Sequence, residues 1–490
     1  MSKIFKRLFS FSVLLLLIAA GESQAVTKYE FLNNILMVRG IDWSSSPEAP
    51  YNDAAGFILR TGYVTDDAGK LDADVTRREA LRWCVECLGM TFEAGLFTDY
   101  PTGFNDEKSL NEFERGCLVV ATHMNPSLFS LSSFKDGKFS GDTKISLDES
   151  REILRKLSAA SRNFTLDMIR NPVKGLRVHI HREGVPTGIP TWRFFAEGIK
   201  TRAAADYFKS SLASEGYEAS VASVNGLFSV RVQKLEDYNQ VRYLESIARA
   251  RGLTYRALPS MSNPNTQILP RFWVMLVIDP SYFRVSPVAS YNGPMELQTL
   301  STIYYSNHVQ AAINAGFFGV LKGGRGYPIG ALRVNGRNIT LPSDMRGCAA
   351  WNDNDEVMFE VAEATEEANY WSEMTNIIQA GPLMIDDGQI VTYDENFSSS
   401  LISARHPRSA FGLNAQGSWV FMAVDGRNGM HSSGATISEL SEIMTGQGLV
   451  YALNLDGGGS TEIIVDGKIY NIPSDGYERR ISYALGAVPR

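Results

Sequence analysis

The chain of 490 residues is short of three things: cysteine, surplus basic charge and long apolar runs. Four cysteines (Cys84, Cys87, Cys117, Cys348) are too few to staple a chain of this length, so apolar cores must hold it together. With 47 Lys and Arg against 54 Asp and Glu the net charge is -7, which gives no overall positive field and excludes a sequence-independent grip on nucleic acid. Past the N-terminal stretch no segment stays apolar for the ~20 residues a membrane helix needs. What is present is a globular composition, 44% hydrophobic and 21% charged, over a length that suggests about three domains.

Residues 1–25 combine a basic start (Lys3, Lys6, Arg7), an apolar run from Leu8 to Ala20, and small residues Ser23 and Ala25 where a signal peptidase reads. We expect export to the periplasm or cell envelope with cleavage after Ala25; an uncleaved anchor is the alternative. Cys84 and Cys87 have Cys-x-x-Cys spacing but fall in an amphipathic helical pattern over 78–88, with no second ligand pair nearby. Buried thiols, or one bridge to Cys117, are expected rather than zinc.

From Thr27 to about Ser130 short helices alternate with turns. Segments 29–36 and 76–83 each place a Glu early in an amphipathic helix, and Thr76 is a natural N-cap. Together with the Ala54-Ala55-Gly56 helix and the Gly62-Tyr63-Val64 turn, this pattern over 26–132 resembles the S-layer homology module, which implies attachment to a wall or envelope polysaccharide. A generic helical domain is the other reading. Residues 133–188 read as linker: a charged helical stretch over 147–169, then Pro172, Gly175, Gly184, Pro186 and Gly188. A strand (191–197), a helix (201–214), two strands (218–223 and 227–233) and a helix (238–251) follow, with Asn225-Gly226 at the hairpin. This β-α-β-β-α order over 189–256 resembles the SPOR module, implying contact with peptidoglycan glycan strands; a small spacer domain is the alternative.

From Pro270 the texture becomes short β-branched and aromatic runs broken by Gly, Asn and Asp, with strands expected at 272–278, 309–313, 419–424, 451–455 and 463–465. One helix interrupts them, entered through Thr436 with Glu439 at the reciprocal capping position. The expected fold class is therefore α+β and multidomain: a helical N-terminal module, a small βαββα middle module, and a β-rich α+β catalytic domain over 268–490.

Five clusters put polar or glycine residues at the end of an apolar strand: 313–318 around Asn314, 405–410 around Arg408, 424–427 around Asp425, 454–461, and 473–480 with Asp475 and Arg480. Asp387-Gly388 and Asp466-Gly467 read as ordinary hairpin turns. Gly457-Gly458-Gly459 is harder to assign to a turn, because three glycines lose much backbone entropy on ordering. Their N–H groups, with the hydroxyls of Ser460 and Thr461, suggest a concave nest for an anion. No Lys follows and 462–465 reads as a strand, so this is not a nucleotide P-loop. His406, beside Pro407, reads as a surface loop.

Together the clusters resemble the phosphodiester glycosidase family from about Ala289 to Arg490. The resemblance rests on Asn314 to Phe318, Gly381-Pro382, 408–412, Asp425-Gly426-Arg427, the helix from Thr436, 454–461 and Pro473-Ser474-Asp475; Ala315 and Ser409 depart mildly from the usual glycine and threonine. It implies hydrolysis of the bond between a sugar anomeric carbon and a phosphate oxygen, with N-acetylglucosamine as a candidate sugar. A phosphate leaves as a stable anion, so charge stabilisation should dominate, with Arg408, Arg480, Asn314 and the glycine loop as phosphate contacts. A carboxylate must also face the sugar: Asp456 first, then Asp425 and Asp475. The sequence leaves room for a divalent metal on these three aspartates, though no ligand spacing demands one. Against the hydrolase stands an envelope-anchoring protein that binds phosphorylated polysaccharide without cleaving it, or a hydrolase or lyase of another wall bond.

Overall fold

The helix start with an early Glu, read twice in the N-terminal sequence, occurs a third time there, with Ser as its cap, in the structure, a computed structural model that describes residues 25–41, 54–134, 136–224, 226–262, 269–321, 325–354, 356–362 and 371–490. The expected signal sequence up to Gln24, and Asn225, lie outside these residues. Helices Lys28–Arg39, Arg77–Cys87 and Leu147–Ala160 begin at Thr27, Thr76 and Ser146, with Glu30, Glu79 and Glu149 three residues on. The residue before each cap joins a closed ring of backbone hydrogen bonds: Val75 N–H donates to Val26 (2.9 Å), Val26 to Ile145 (3.4 Å) and Ile145 to Val75 (3.1 Å). Successive copies are also linked by charge, Lys28 to Glu79 at 2.6 Å and Arg77 to Glu149 at 2.5 Å. The third copy was masked in the sequence because Leu147 stands where Lys28 and Arg77 stand. Cys84, Cys87, Cys117 and Cys348 are buried and unbridged.

The chain divides into two compact units, Met1–Leu166 with Gly184–Phe194 and Val232–Ile268, and Asp167–Glu183 with Phe195–Arg231 and Leu269–Arg490. The middle segment has the element order read from its sequence, Ile189–Ile199, Arg202–Ser214, Ala219–Val224, Leu227–Leu235 and Tyr238–Ala250, and adds a strand, Thr254–Ser262. The linker reading is corrected. The helix stops at Ala160, and Thr165–Val173 and Leu176–Glu183 are strands. Leu176, Val178 and Ile180 are buried while the residues between them are not, a period of two that the flanking glycines and prolines concealed.

These two strands form one edge of an eight-stranded sheet that continues through Arg271–Ile278, Trp419–Val424, Arg408–Asn414, Leu449–Asn454, Leu383–Asp386 and Gln389–Ile390. Helix Ile437–Gly446 covers it, packing Leu440 and Met444 against Trp273, Met275, Met422 and Ala452. A five-stranded sheet orders Lys468–Ile469, Ile463–Val465, Ala311–Asn314, Tyr483–Pro489 and Phe283–Ala289, and another orders Arg337–Thr340, Leu332–Val334, Asn376–Gln379, Arg346–Trp351 and Val357–Ala362. The architecture is α+β and multidomain. Asp387-Gly388 and Asp466-Gly467 do make two-residue hairpin turns, all four residues at positive φ.

Candidate active site

Strand pairing decides which clusters meet. Arg408 pairs with Val424 and Ala410 with Asn454, so Arg408, Asp425 and the 454–461 turn share one edge of the large sheet. Ile313 pairs with Ile463, which brings Asn314 to the far end of the same turn. Leu455 N–H then donates to Ser409 O (2.8 Å), Asp456 N–H to Ala315 O (2.9 Å) and Gly458 N–H to Pro407 O (2.9 Å), fixing the turn from both sides.

Asn314 holds this turn rather than facing a ligand. It is buried, its Nδ2 donates to Asp456 O at 2.6 Å, and its Oδ1 accepts from the Ser409 hydroxyl (2.6 Å) and Glu462 N–H (3.1 Å). Arg408 is also turned inward: Nε donates to Ala435 O, and Nη2 to Leu401 O and Ala404 O. Burial and the nearby Arg427 charge push its pKa down to about 10.

Asp425 is a third inward residue. One carboxylate oxygen accepts from Asn471 Nδ2 (3.0 Å), the other from His431 Nε2 (2.9 Å) and Ile472 N–H (2.9 Å). Asn471 passes the restraint on, donating to Thr461 O (3.0 Å) and accepting from Ile463 N–H (2.9 Å). With its oxygens taken by N–H donors, Asp425 is poorly suited to a metal. Among the described residues no three His, Cys, Asp or Glu side chains gather as a metal set.

Asp456 is different. Burial pushes its carboxyl up to about 6, against the lowering effects of the Ser460 hydroxyl, the Arg479 charge and the Gly457 N–H. The residue retains some accessible surface while its carboxyl is enclosed by protein. A carboxyl in that range changes protonation near neutrality, as an acid–base or nucleophilic group requires.

The glycines serve close approach more than an amide nest. The N–H groups of Gly458, Ser460 and Thr461 donate to Pro407, Gly457 and Gly458 carbonyls, and that of Gly457 to the Asp456 carboxylate. A Cβ on Gly457 would lie 2.6 Å from Pro407 O, and one on Gly459 would collide with the Arg479 guanidinium and the Asp475 carboxylate. Gly458, at φ +62, takes a backbone that side chains rarely adopt. Thr461 is buried behind the turn.

Two arginines flank it. Arg479 donates to Asp475 Oδ2 through Nε (2.9 Å) and Nη2 (2.7 Å), and to the Ser460 hydroxyl through Nη1 (3.4 Å). Asp475 therefore positions Arg479. Arg427, exposed and at φ +59, lays its Nη2 3.1 Å from where a Gly458 side chain would begin. A non-glycine residue held at that φ beside a polar cluster points to function. Arg480 is exposed and in the field of Glu296. The sequence reading named Arg480; the structure brings Arg479 to the turn, and its four-residue spacing from Asp475 was the signal for it. It also missed Tyr483, buried, its hydroxyl beside Gly316 and its proton held tightly by burial and the Asp456 charge. His406 is half-buried, its pKa lowered by burial and by Arg408 and Arg427, so it is neutral near pH 7.

Of the comparisons with known proteins, the family match falls on this region. Residues 307–488 match the model of the phosphodiester glycosidase family. An uncharacterised prophage-derived protein of Bacillus subtilis is 40% identical over 80 residues, 16% of this chain and 12% of its own length. The N-acetylglucosamine-1-phosphodiester alpha-N-acetylglucosaminidase of Mus musculus is 29% identical over 103 residues, 20% of each chain. The solved catalytic domain of the zebrafish protein of that name is 18% identical, with a TM-score of 0.39 over 48% of this chain and 79% of that one. The aligned stretches are thus a small share of both curated relatives. The C-terminal part of the chain, over 307–488, is a domain of the phosphodiester glycosidase family.

Proposed function

We propose that this protein is an exported hydrolase that cleaves the bond between a sugar anomeric carbon and a phosphate oxygen in a glycosyl-1-phosphodiester of an envelope or extracellular glycan. The observation that carries the reading is Asp456: a carboxyl with its pKa near 6, hydrogen-bonded to Ser460, which also accepts from Arg479. Arg479 and Arg427 are suited to hold the two free phosphate oxygens and to stabilise the phosphate as it departs. Asp456, ionised, faces the positive charge that builds at the anomeric carbon and either attacks it or activates a water; water completes the hydrolysis, giving free sugar and a phosphomonoester. Because the leaving group is a weak base, one carboxylate suffices and no strong general acid is needed. N-acetylglucosamine is the sugar that the mouse relative's name suggests. The helical and middle modules would hold the enzyme to wall polysaccharide or peptidoglycan.

The test is release of reducing sugar from a uridine-diphosphate sugar or an aryl sugar-phosphodiester by the mature chain, with Asp456→Asn as control. Release that is lost in the variant supports the reading. Tight binding of phosphorylated wall polymer with no release from any such substrate would replace it with an anchoring role.

A further inference from the structure

Two aromatic rings, on segments bonded to the turn that carries Asp456, take no part in the chemistry above. Phe317 lies two residues beyond Ala315, whose carbonyl accepts the Asp456 amide. Phe397 packs on Gly381, its Cε2 3.0 Å from where a side chain there would start, and the Gly381 N–H donates to Asn454 O at 2.9 Å. Each ring is therefore fixed to the backbone on one flank of the turn that carries Asp456. Their centroids are 5.8 Å apart at 47°, and both rings are half-buried.

One cation packs against both rings. The Arg346 guanidinium lies 5.5 Å from the Phe317 centroid and 5.0 Å from that of Phe397. Glu395 anchors the segment leading to Phe397, its carboxylate accepting from Gly347 N–H (2.6 Å) and Leu383 N–H (2.7 Å). Two half-open rings, fixed at an angle by a cation and a half-buried carboxylate, make an apolar surface among polar groups. A pyranose fits it: one C–H face packs on aromatic carbon while the hydroxyls remain free to hydrogen bond.

We propose that Phe317 and Phe397 form the sugar platform of this site, with Arg346 and Glu395 as positioning residues, taking the C–H face of the pyranose whose anomeric carbon faces Asp456. The inference rests on the hydrolase reading and deepens it. Sugar recognition falls to the rings and phosphate recognition to Arg427 and Arg479, so the two should separate by mutation.

The experiment titrates N-acetylglucosamine 1-phosphate and inorganic phosphate into the mature wild-type chain, Phe317→Leu, Phe397→Leu and Phe317→Tyr, with thermal unfolding to confirm that each variant is folded. The wild type should prefer the sugar phosphate by about tenfold or more. Either leucine variant should lose most of that preference while its affinity for inorganic phosphate stays within about twofold, and Phe317→Tyr should restore it. No preference in the wild type, a preference kept by both leucine variants, or equal loss of both ligands overturns the platform. If the preference behaves as stated but no diester releases sugar, the hydrolase reading falls and the platform stands; sugar release with an unaltered preference in the leucine variants does the reverse.

Discussion

Asp425 and Asp456 have the same local sequence, an aspartate followed by glycine at the end of a buried strand, yet the fold gives them opposite tasks. Asp425 accepts three hydrogen bonds from His431, Asn471 and Ile472, and is spent on holding the segments that carry Thr461 and Pro473. Asp456 meets a hydroxyl, one amide and the field of Arg479, too little to offset its burial, so its pKa rises to about 6. A carboxylate saturated with donors stabilises structure; an undersatisfied one is available for chemistry.

The largest effect that would sharpen this contrast is loss of turnover in Asp456→Asn, by about a thousandfold or more in kcat. Its stability should move the other way. Because the folded-state pKa of Asp456 is raised from 3.8 to about 6, the folded chain binds the extra proton between those values and loses stability as pH rises through them. At pH 7 the ionised carboxyl is a net cost, so the Tm of Asp456→Asn at that pH should equal or exceed that of the wild type. Asp425→Ala should invert the pattern, destabilising by about 2–4 kcal/mol in denaturant unfolding through the partners it leaves unpaired, with activity per folded molecule falling far less. Should the two variants exchange these behaviours, the assignment of roles is reversed.

Arg479→Met should lower kcat/KM by about a hundredfold and move the acid limb of the pH profile above 6, because the Arg479 charge lowers the Asp456 pKa. Arg427→Gly should raise KM by about tenfold while adding up to about 1 kcal/mol of stability by relieving its positive φ, both measurable on one preparation. Arg480→Ala, the smallest expected change, should leave kcat/KM within about twofold, as for an exposed side chain.

Much of this was legible in the sequence where one period dominated. The helix from Thr436, the strand 419–424 and the hairpins at 387–388 and 466–467 follow from capping residues, alternation and turn chemistry. The resemblance to the family was legible in residues at strand ends, which also made Asp456 the first candidate carboxylate. What stayed hidden depended on orientation. Arg408 and Asn314 carry chemistry suited to phosphate, but strand register turns both into the core, and it is Arg479 that hydrogen-bonds the turn. The glycines were read as anion donors, yet their conformation points several amides at neighbouring carbonyls and their missing side chains make room for Arg479 and Asp475. The strands at 165–173 and 176–183 were obscured by glycines and prolines, since their place depends on the pairing of 176–183 with Arg271–Ile278, far along the chain.

The most direct measurement is kcat/KM for a sugar phosphodiester from pH 4 to 9, in the wild type and in Arg479→Met. If Asp456 works as the ionised carboxylate, the wild-type rate rises with pH to a plateau with its midpoint near 6, and the midpoint moves upward in the variant. A profile flat between pH 5 and 7, or a limb that Arg479→Met leaves in place, would contradict Asp456 as the catalytic carboxylate.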